Sequence, residues 1–246
     1  RMVFEARDAM VVAASEEAAR LLVRVGCTVD VLCPSGCPVE AGASLLAATG
    51  PAAALLAGWK VAQTLMEYTS GIATVAHRIV EAAHTVNPAV VVACTRKTFP
   101  GTKALSLKAI LAAGAVPHRL GLSETVLVFP EHRVFLAGED DIAALARLKI
   151  ACPERKIVVE VNSLDEAVLA ARAGADVVQL EKFSPEMVAA VVARLADTAA
   201  AVKVAAAGGV KPANAAAYVR AGAQILVTSA PYFAPPADVK VSISAC

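Results

Sequence analysis

The stretch KIVVEVNSLDEAVLAARAGADVVQLEKF, residues 156–183, decides the fold class. It places two apolar, β-branched runs, 156–161 and 176–180, on either side of an alanine-rich segment with helical spacing. Ser163 and Glu166 form a capping-box pattern at the start of that segment, and a glycine follows its end. Strand, helix and strand in this order predict two parallel strands joined by a crossover helix.

The same alternation extends in both directions from this unit. Fully apolar strands indicate a sheet that is covered on both faces, as in a barrel. We therefore predict an α/β fold built on a parallel sheet. The predicted strands are 89–94, 125–129, 156–161, 176–180, 202–207 and 224–229, and the predicted helices are 103–113, 139–150, 163–173, 184–199 and 212–221.

The first 87 residues have a different pattern, in which short strands and tight turns precede long apolar helices. The run VKVSIS, 239–244, follows a proline pair and is expected to return to this first layer as a further strand. Two domains are predicted: an N-terminal sandwich, 1–87, completed by 237–246, and an α/β barrel, 88–236. The elements predicted in the first domain are a strand near 2–7, a helix at 15–25, turns at 34–36 and 40–42, and helices at 52–68 and 71–86.

Composition excludes several classes of protein. Hydrophobic residues make up 57% of the 246 residues and charged residues 18%, which is incompatible with a disordered chain. Apolar runs are interrupted by charges such as Lys60 and Lys203 before they reach the roughly 20 residues that span a bilayer, so no membrane association is expected. A net charge of +1 argues against a nucleic-acid partner.

The cysteines show no paired spacing of the zinc-binding kind. Reduced thiols in a cytoplasmic protein are therefore expected, and coordination of a metal by Cys33 and Cys37 is the less favoured alternative. Cys94 lies within an apolar predicted strand and is expected in the core. The six cysteines are at positions 27, 33, 37, 94, 152 and 246.

Positive charge is concentrated in residues 82–123, which contain five lysines and arginines and no acidic residue. Arg96, Lys97, His118 and Arg119 fall at predicted loop positions, where they can converge on an anion. Like charges about 4 Å apart repel by roughly 4 kcal/mol near a protein surface before screening, and a bound polyanion would offset that cost. The alternative is a basic face exposed to solvent, and Lys103 and Lys108 on the following helix are weaker candidates.

Carboxylates and glycines occupy the ends of other predicted strands. Glu160 and Glu181 end neighbouring apolar strands, where each carboxylate needs a cation, either a nearby basic side chain or Mg²⁺. Glycine pairs before a helix suit a phosphate group, although plain turn geometry explains them equally well. Loops after the last strands of a barrel favour phosphate. The candidates there are Gly208, Gly209, Ser229 and Ala230.

The stretch TRKTFPGTKALSLKAILAAGAVPHRLGLSE, residues 95–124, closely resembles the signature of the quinolinate phosphoribosyltransferases, also called nicotinate-nucleotide pyrophosphorylases. Further motifs occur in that family's order and spacing, so the resemblance covers nearly the whole chain. Within the family, the sequence of these motifs is most similar to a subgroup associated with molybdenum-transport operons. The further motifs are SGIAT at 70–74, VVEVNSLDEA at 158–167, QLEKF at 179–183 and AAAGGV at 205–210.

This resemblance implies a type II phosphoribosyltransferase fold, in which an N-terminal sandwich domain packs on an open-faced, seven-stranded α/β barrel. The seventh strand would lie near residues 115–122. It also implies a homodimer and a magnesium-dependent transfer of the phosphoribosyl group from phosphoribosyl pyrophosphate to a nitrogenous, aromatic acid, with release of pyrophosphate.

The resemblance also implies a role for each candidate residue. The acid substrate would be held by two arginines and a histidine, with a lysine near the pyrophosphate, and the magnesium by two carboxylates. A basic residue from the partner subunit would complete the site. In this chain the residues are Arg96, His118 and Arg119 for the acid, Lys97 for the pyrophosphate, Glu160 and Glu181 for Mg²⁺, Gly208, Gly209, Ser229 and Ala230 for the 5-phosphate, and Lys60 from the partner.

Four positions depart from the family's pattern. Phe129 stands where the family has a lysine, Lys60 replaces an arginine, Glu181 an aspartate and Ala207 a serine. The loss of a cation at Phe129 argues against quinolinate and favours an acceptor with fewer negative charges, or a larger aromatic one, although Phe129 could equally fill the barrel wall. A second hypothesis is a non-catalytic oxyanion or nucleotide sensor linked to molybdenum transport.

Overall fold

The computed structural model describes residues 1–121, 124–136, 138–197 and 201–245. Cys246 therefore lies outside the described residues, as does the end of the helix predicted at 184–199.

The described residues form thirteen strands and eight α-helices. In chain order they are β1 (Met2–Ala6), β2 (Met10–Val11), α1 (Ser15–Arg24), β3 (Thr28–Val31), β4 (Pro38–Val39), β5 (Ser44–Thr49), α2 (Ala52–His84), β6 (Val91–Cys94), α3 (Lys103–Ala112), β7 (Val116–Pro117), β8 (Val126–Val128), α4 (Pro130–Arg133), α5 (Asp141–Ala151), β9 (Ile157–Val161), α6 (Leu164–Arg172), β10 (Val177–Glu181), α7 (Pro185–Ala196), β11 (Lys203–Ala207), α8 (Pro212–Arg220), β12 (Ile225–Thr228) and β13 (Val239–Ile243).

The chain divides into two compact units. The first unit comprises Arg1–Arg78, Lys97–Ala115 and Ala230–Cys246, and the second comprises Ile79–Arg96 and Val116–Ser229. This division groups α3 with the N-terminal elements. It does not test the domain boundaries predicted near residues 87 and 237, which stay predictions.

The first unit is built on a four-stranded antiparallel sheet in the order β13-β1-β5-β3. Alternate residues of β1 are fully buried and the intervening ones are partly exposed, as expected for a sheet with one face on the core. The predicted return of the C-terminal strand is confirmed, since β13 pairs with β1 and places Val241 opposite Phe4. The largest buried side chains of this core include Met2, Phe4, Leu22, Leu45, Leu46 and Met66.

The prediction of two helices at 52–68 and 71–86 is wrong, because α2 is one continuous helix of 33 residues. Thr69, Ser70 and Gly71 look like a helix break in sequence, but their small and polar groups serve tertiary contacts instead. Ser70 Oγ accepts a hydrogen bond from Ala13 N (3.0 Å), and Thr69 Oγ1 donates to Ala13 O (2.9 Å). No helix in the described parts of the chain is long and apolar enough to cross a bilayer.

The second unit is built on a seven-stranded sheet in the order β7-β6-β12-β11-β10-β9-β8, and all of its pairs are parallel. The α/β fold class and the six predicted strands are confirmed. The seventh strand, β7, lies within the predicted range 115–122 and pairs with β6. Because all strands run the same way, their carboxyl ends share one edge, which we call the C-terminal edge.

Helix starts follow the predicted capping chemistry. Ser163 Oγ accepts from Glu166 N (3.2 Å) at the start of α6, and Ser184 Oγ accepts from Met187 N (3.3 Å) at the start of α7. The Glu166 carboxylate accepts a hydrogen bond from Asn162 N (3.1 Å). In a standard capping box the donor would be the N-cap residue itself, Ser163, so the observed bond is displaced by one residue.

Candidate active site

The predicted site residues of the second unit lie along the C-terminal edge. Arg96 follows β6 by two residues and His118 directly follows β7, whereas Glu160 and Glu181 lie at or near the ends of β9 and β10. The glycine pair starting at Gly208 follows β11, which lies between these groups in the strand order. At about 4.8 Å per strand, β6 and β10 are roughly 14 Å apart across the sheet. Cations, glycines and carboxylates thus follow one another along one edge.

The cationic end of the edge is formed by His118 and two arginines. His118 N donates to Cys94 O (2.7 Å), which attaches the end of β7 to that of β6. Burial and the charges of Arg119 and Arg96 lower the pKa of His118 to about 4, so its imidazole is neutral at pH 7. Burial and Arg96 also lower the pKa of Arg119.

At this end of the edge, Glu124 is the acidic side chain whose charge acts on Arg119. Arg119 Nε is buried and has no hydrogen-bond partner among the described residues. A guanidinium nitrogen in that state, beside a neutral histidine and a second arginine, is suited to an anion such as a carboxylate. The predicted role of these residues as an acid-binding group remains a prediction.

The carboxylate end contains a side chain that sequence reasoning missed. Gln179 lies opposite Glu160 in the register of β10 and β9, is only 4% exposed, and donates from Nε2 to Glu160 Oε2 (2.8 Å). Because a carboxylate can only accept, this bond orients the amide and leaves Gln179 Oε1 buried, with no partner in the described parts of the chain. Gln179 is two residues from Glu181, so strand alternation alone places both on one face.

Within the described residues, no three side chains of His, Cys, Asp or Glu gather into a ready-made metal centre. Glu160, Glu181 and the amide oxygen of Gln179 are hard oxygen donors, which Mg²⁺ accepts together with phosphate oxygens. The chemistry of these oxygen donors therefore fits a magnesium ion that is also bound by phosphate oxygens.

The loop after β11 contains two glycines, one closely packed (Gly208) and one with free space around its Cα (Gly209). Gly208 and Gly209 have φ values of +78° and +93°, which favour glycine. A Cβ added to Gly208 would lie 2.7 Å from Glu181 Oε1, so the missing side chain makes room for that carboxylate. A Cβ on Gly209 would meet nothing within 4 Å.

Side chains hold this loop from both ends. Thr228 Oγ1 donates to Val210 O (2.7 Å), and Asn214 Nδ2 donates to Gly209 O (3.0 Å). The loop leads into α8, and Ser229 follows β12, the neighbouring strand. The arrangement suits a phosphate at the start of α8, although the predicted phosphate role stays a prediction.

Phe129 lies at the opposite end of the strand order from His118, after β8. Its backbone N donates to His132 Nδ1 (3.0 Å), and the two rings lie 5.5 Å apart at an interplanar angle of 53°. Phe129 is half-buried, so part of its ring stays accessible.

Three predicted residues, Lys60, Lys97 and Ala230, belong to the first unit. Lys97 and Ala230 directly follow Arg96 and Ser229 in the chain. Lys60 is exposed on α2, where its Nζ lies 4.3 Å from the centroid of the Trp59 ring and donates to Gln63 Oε1 (3.1 Å).

Lys108 is not available to a ligand. Its Nζ donates to Glu16 Oε2 (2.8 Å) and to both carboxylate oxygens of Glu17 (2.7 and 2.6 Å). Burial alone would raise the pKa of Glu16, but hydrogen bonds from Lys108 and Ser35 lower it to about 2. Lys108 thus links α3 to α1.

Comparisons with known proteins agree with this arrangement. The sequence profile of the quinolinate phosphoribosyl transferase N-terminal domain matches residues 1–70, and that of the C-terminal domain matches residues 72–242. The chain is 56% identical over 222 residues to the Rhodobacter capsulatus protein named "Putative pyrophosphorylase ModD", covering 90% of this chain and 85% of that protein.

More distant relatives extend the comparison. The human carboxylating nicotinate-nucleotide pyrophosphorylase is 38% identical over 166 residues, which are 68% of this chain and 56% of the human protein. The crystal structure of the nicotinate-nucleotide pyrophosphorylase from Ehrlichia chaffeensis superposes with a TM-score of 0.90 at 17% identity, covering 99% of this chain and 87% of that one. That likeness confirms the fold.

Proposed function

The chain belongs to the quinolinate phosphoribosyltransferase family, and on that premise we propose that it transfers a phosphoribosyl group from magnesium-bound phosphoribosyl pyrophosphate to a nitrogenous, aromatic acid. Members of this family are pentosyltransferases, and the chain is an enzyme of that class. The observation that carries the proposal is the order of groups along the C-terminal edge, from Arg96 and His118 through Gly208 to Glu181 and Glu160.

The chemistry follows from where charge develops. The ring nitrogen of the acceptor forms a bond to the anomeric carbon as the bond from that carbon to the pyrophosphate oxygen breaks, and the electron pair leaves with pyrophosphate. Glu160 and Glu181 would hold a magnesium ion, which would supply positive charge to the leaving pyrophosphate. Gln179 Nε2 keeps the Glu160 carboxylate oriented. Lys97 adds positive charge near the leaving group.

The acceptor is proposed to be an acid with fewer negative charges than quinolinate, or a larger aromatic acid. Its carboxylate would pair with Arg96 or Arg119, beside the neutral His118. The half-buried Phe129 would offer a ring face where related enzymes have a cation. Replacing Phe129 by Lys tests this, because gain of quinolinate turnover would assign substrate choice to that position. No gain would assign it to the other departures.

We also propose a homodimer in which Lys60 acts in the partner's site. The support is an apolar surface of the first unit that includes one face of α2. Val61 and Tyr68 are about 60% exposed, and Phe99 is 76% exposed. All three line a cavity of about 810 Å³ together with Lys60. Exposed apolar surface of this extent is typical of an interface.

The decisive experiment measures pyrophosphate release from phosphoribosyl pyrophosphate in a screen of aromatic acids and azoles, with and without Mg²⁺. We expect release to require both the metal and an acceptor. Replacing Glu160 by Gln should reduce turnover strongly, whereas Glu154→Gln should not, because the exposed Glu154 precedes β9 at the opposite edge.

Calorimetric titration with molybdate and with nucleotides separates the sensor hypothesis from catalysis. Binding without turnover that is unaffected by Glu160→Gln would support a sensor. Affinity for phosphoribosyl pyrophosphate that does not increase with Mg²⁺ would contradict the proposed reaction.

A further inference from the structure

Away from the sheet edge, two thiols flank the tight turn between β3 and β4. We propose that Cys33 and Cys37 are a redox-active pair that closes to an intramolecular disulfide by exchange with a low-molecular-weight disulfide. The inference concerns the first unit alone and does not depend on the proposed reaction.

The turn brings the two cysteines together. Cys37 N donates to Pro34 O (3.1 Å), and Gly36, with φ +95°, occupies the third turn position, as in a type II turn. The chain is thereby reversed directly after Cys33. Cys33, directly before Pro34, and Cys37 therefore lie at the two ends of this turn.

Both thiols are accessible and weakly held. Cys33 Sγ donates to Ser44 O (3.5 Å) and Cys37 Sγ donates to Pro38 O (3.6 Å), bonds that a thiol can give up at little cost. Both side chains are partly exposed, whereas Cys27 and Cys94 are buried. A redox partner can therefore reach this pair and not the core cysteines.

The reaction balances as two exchange steps. The thiolate of Cys37 attacks one sulfur of the small disulfide, forms a mixed disulfide and releases one thiolate. Cys33 then attacks the Cys37 sulfur and releases the second thiolate. Two protein thiols are oxidised, one small disulfide is reduced to two thiols, and the two protons pass to the released thiolates. Burial and the neighbouring Cys37 raise the pKa of Cys33, which lowers its thiolate fraction and makes it the less favoured thiol for the first attack.

The turn is also connected to two helices. Ser35 donates from N (2.8 Å) and from Oγ (2.6 Å) to the Glu16 carboxylate, which binds Lys108 of α3. The turn lies against the end of α3 as well, because a Cβ on Gly36 would approach Ala112 O to 3.0 Å. An S–S bond of about 2 Å draws Cys33 and Cys37 closer and shifts the turn. We therefore expect oxidation to alter the packing of α3, which follows the loop of Lys97.

The test uses the full chain with Cys152 and Cys246 replaced by Ser. It is equilibrated in glutathione buffers of increasing oxidised fraction, the remaining thiols are alkylated, and the products are identified by peptide mass spectrometry. We expect a Cys33–Cys37 disulfide whose fraction rises with oxidised glutathione and which dithiothreitol fully reverses. Unmodified thiols across the range, or glutathione adducts without the internal bond, would overturn the proposal.

Single-cysteine variants and hydrogen exchange complete the test. Cys33→Ser should accumulate a mixed disulfide with glutathione at Cys37, because the second step is then blocked. In the parent protein, amide exchange within Lys103–Ala112 should change on oxidation, and in Cys33→Ser it should not. A disulfide that forms while exchange in α3 stays constant would overturn the connection between the turn and the helix.

Discussion

At the scale of single residues, Gln179 stands out because buried polar side-chain atoms are rarely left without a hydrogen-bond partner. Its Nε2 is committed to Glu160, and its Oε1 is buried without a partner among the residues described. An unsatisfied buried acceptor costs roughly 1–3 kcal/mol, so the bond to Glu160 is kept at the expense of stability. Such a balance is expected where the carboxylate must be held ready for a ligand.

Replacing Gln179 by Leu should therefore separate binding from stability. Loss of a hydrogen bond to a charged group should weaken affinity for magnesium phosphoribosyl pyrophosphate roughly 10- to 100-fold. The free energy of unfolding should stay constant or rise, because the unsatisfied oxygen is removed as well. Calorimetric titration and urea unfolding measure the two effects.

Gln179→Glu provides the complementary variant. At neutral pH the new carboxylate would repel Glu160, and at lower pH its protonated form could donate again, so part of the affinity should return. Parallel losses of affinity and stability in both variants would mean that Gln179 only supports the fold.

His118 makes a pH-dependent contribution to stability. Its pKa is lowered from 6.5 to about 4, so between these pH values the unfolded chain binds a proton that the folded chain does not. The free energy of unfolding should fall as the pH drops from 6.5 to 4, by at most about 3 kcal/mol and by less where solvent screens the site. Above pH 6.5 this contribution is constant.

Urea unfolding at pH 7 and pH 5 tests this for the parent chain and for His118→Asn, which should lose that part of the pH dependence. His77→Asn in α2 is the matched control and should keep it. Glu16, with a pKa of about 2, loses its contribution only below about pH 4.5 and does not interfere. If the free energy of unfolding of His118→Asn changed with pH as much as that of the parent chain, the low pKa of His118 would not be the cause of the pH dependence.

At the scale of elements, α2 depends on a glycine for its contact with the C-terminal segment. A Cβ on Gly71 would lie 2.3 Å from Pro235 O, a backbone atom that cannot move away alone. Gly71→Ala should therefore lower the free energy of unfolding by about 1–3 kcal/mol, although alanine is the better helix former by about 1 kcal/mol.

Gly58 in the same helix is the matched control. There the new Cβ would meet Leu22 Cδ2 at 2.6 Å, the tip of a buried side chain that can be displaced without moving the backbone. Gly58→Ala should therefore lower the free energy of unfolding less than Gly71→Ala does, as measured by urea unfolding of both variants. If Gly71→Ala were as stable as Gly58→Ala, the close approach of the C-terminal segment would be wrong.

These elements also show what sequence can predict. Strands, caps and loop positions follow from neighbouring residues, so β9, α6 and β10 were predicted within one or two residues. The continuity of α2 could not be predicted in this way, because Ser70 hydrogen-bonds to the backbone N of Ala13, 57 residues away in the chain. Lys108 finds Glu16 across 92 residues, a pairing that no local pattern reveals. The bond between Gln179 and Glu160 needed the strand register.

At the scale of the whole molecule, the proposed dimer makes a prediction that a monomer cannot meet. Lys60 belongs to the first unit and Arg96 to the second, so separate variants remove one proposed site residue from each. Lys60→Ala and Arg96→Ala should each abolish most activity. If Lys60 acts in the partner's site, a mixed dimer of the two variants contains one intact site and one with both defects.

Refolding the two variants together should therefore restore about a quarter of the parent activity, since half of the dimers are mixed and each mixed dimer has one of its two sites intact. Arg96→Ala mixed with Glu160→Gln is the matched control, because both residues lie in the second unit and every site in that mixture keeps a defect. Restored activity only in the first mixture would support a shared site. Its absence there, with mixed dimers verified by mass spectrometry, would mean that Lys60 serves its own chain or none.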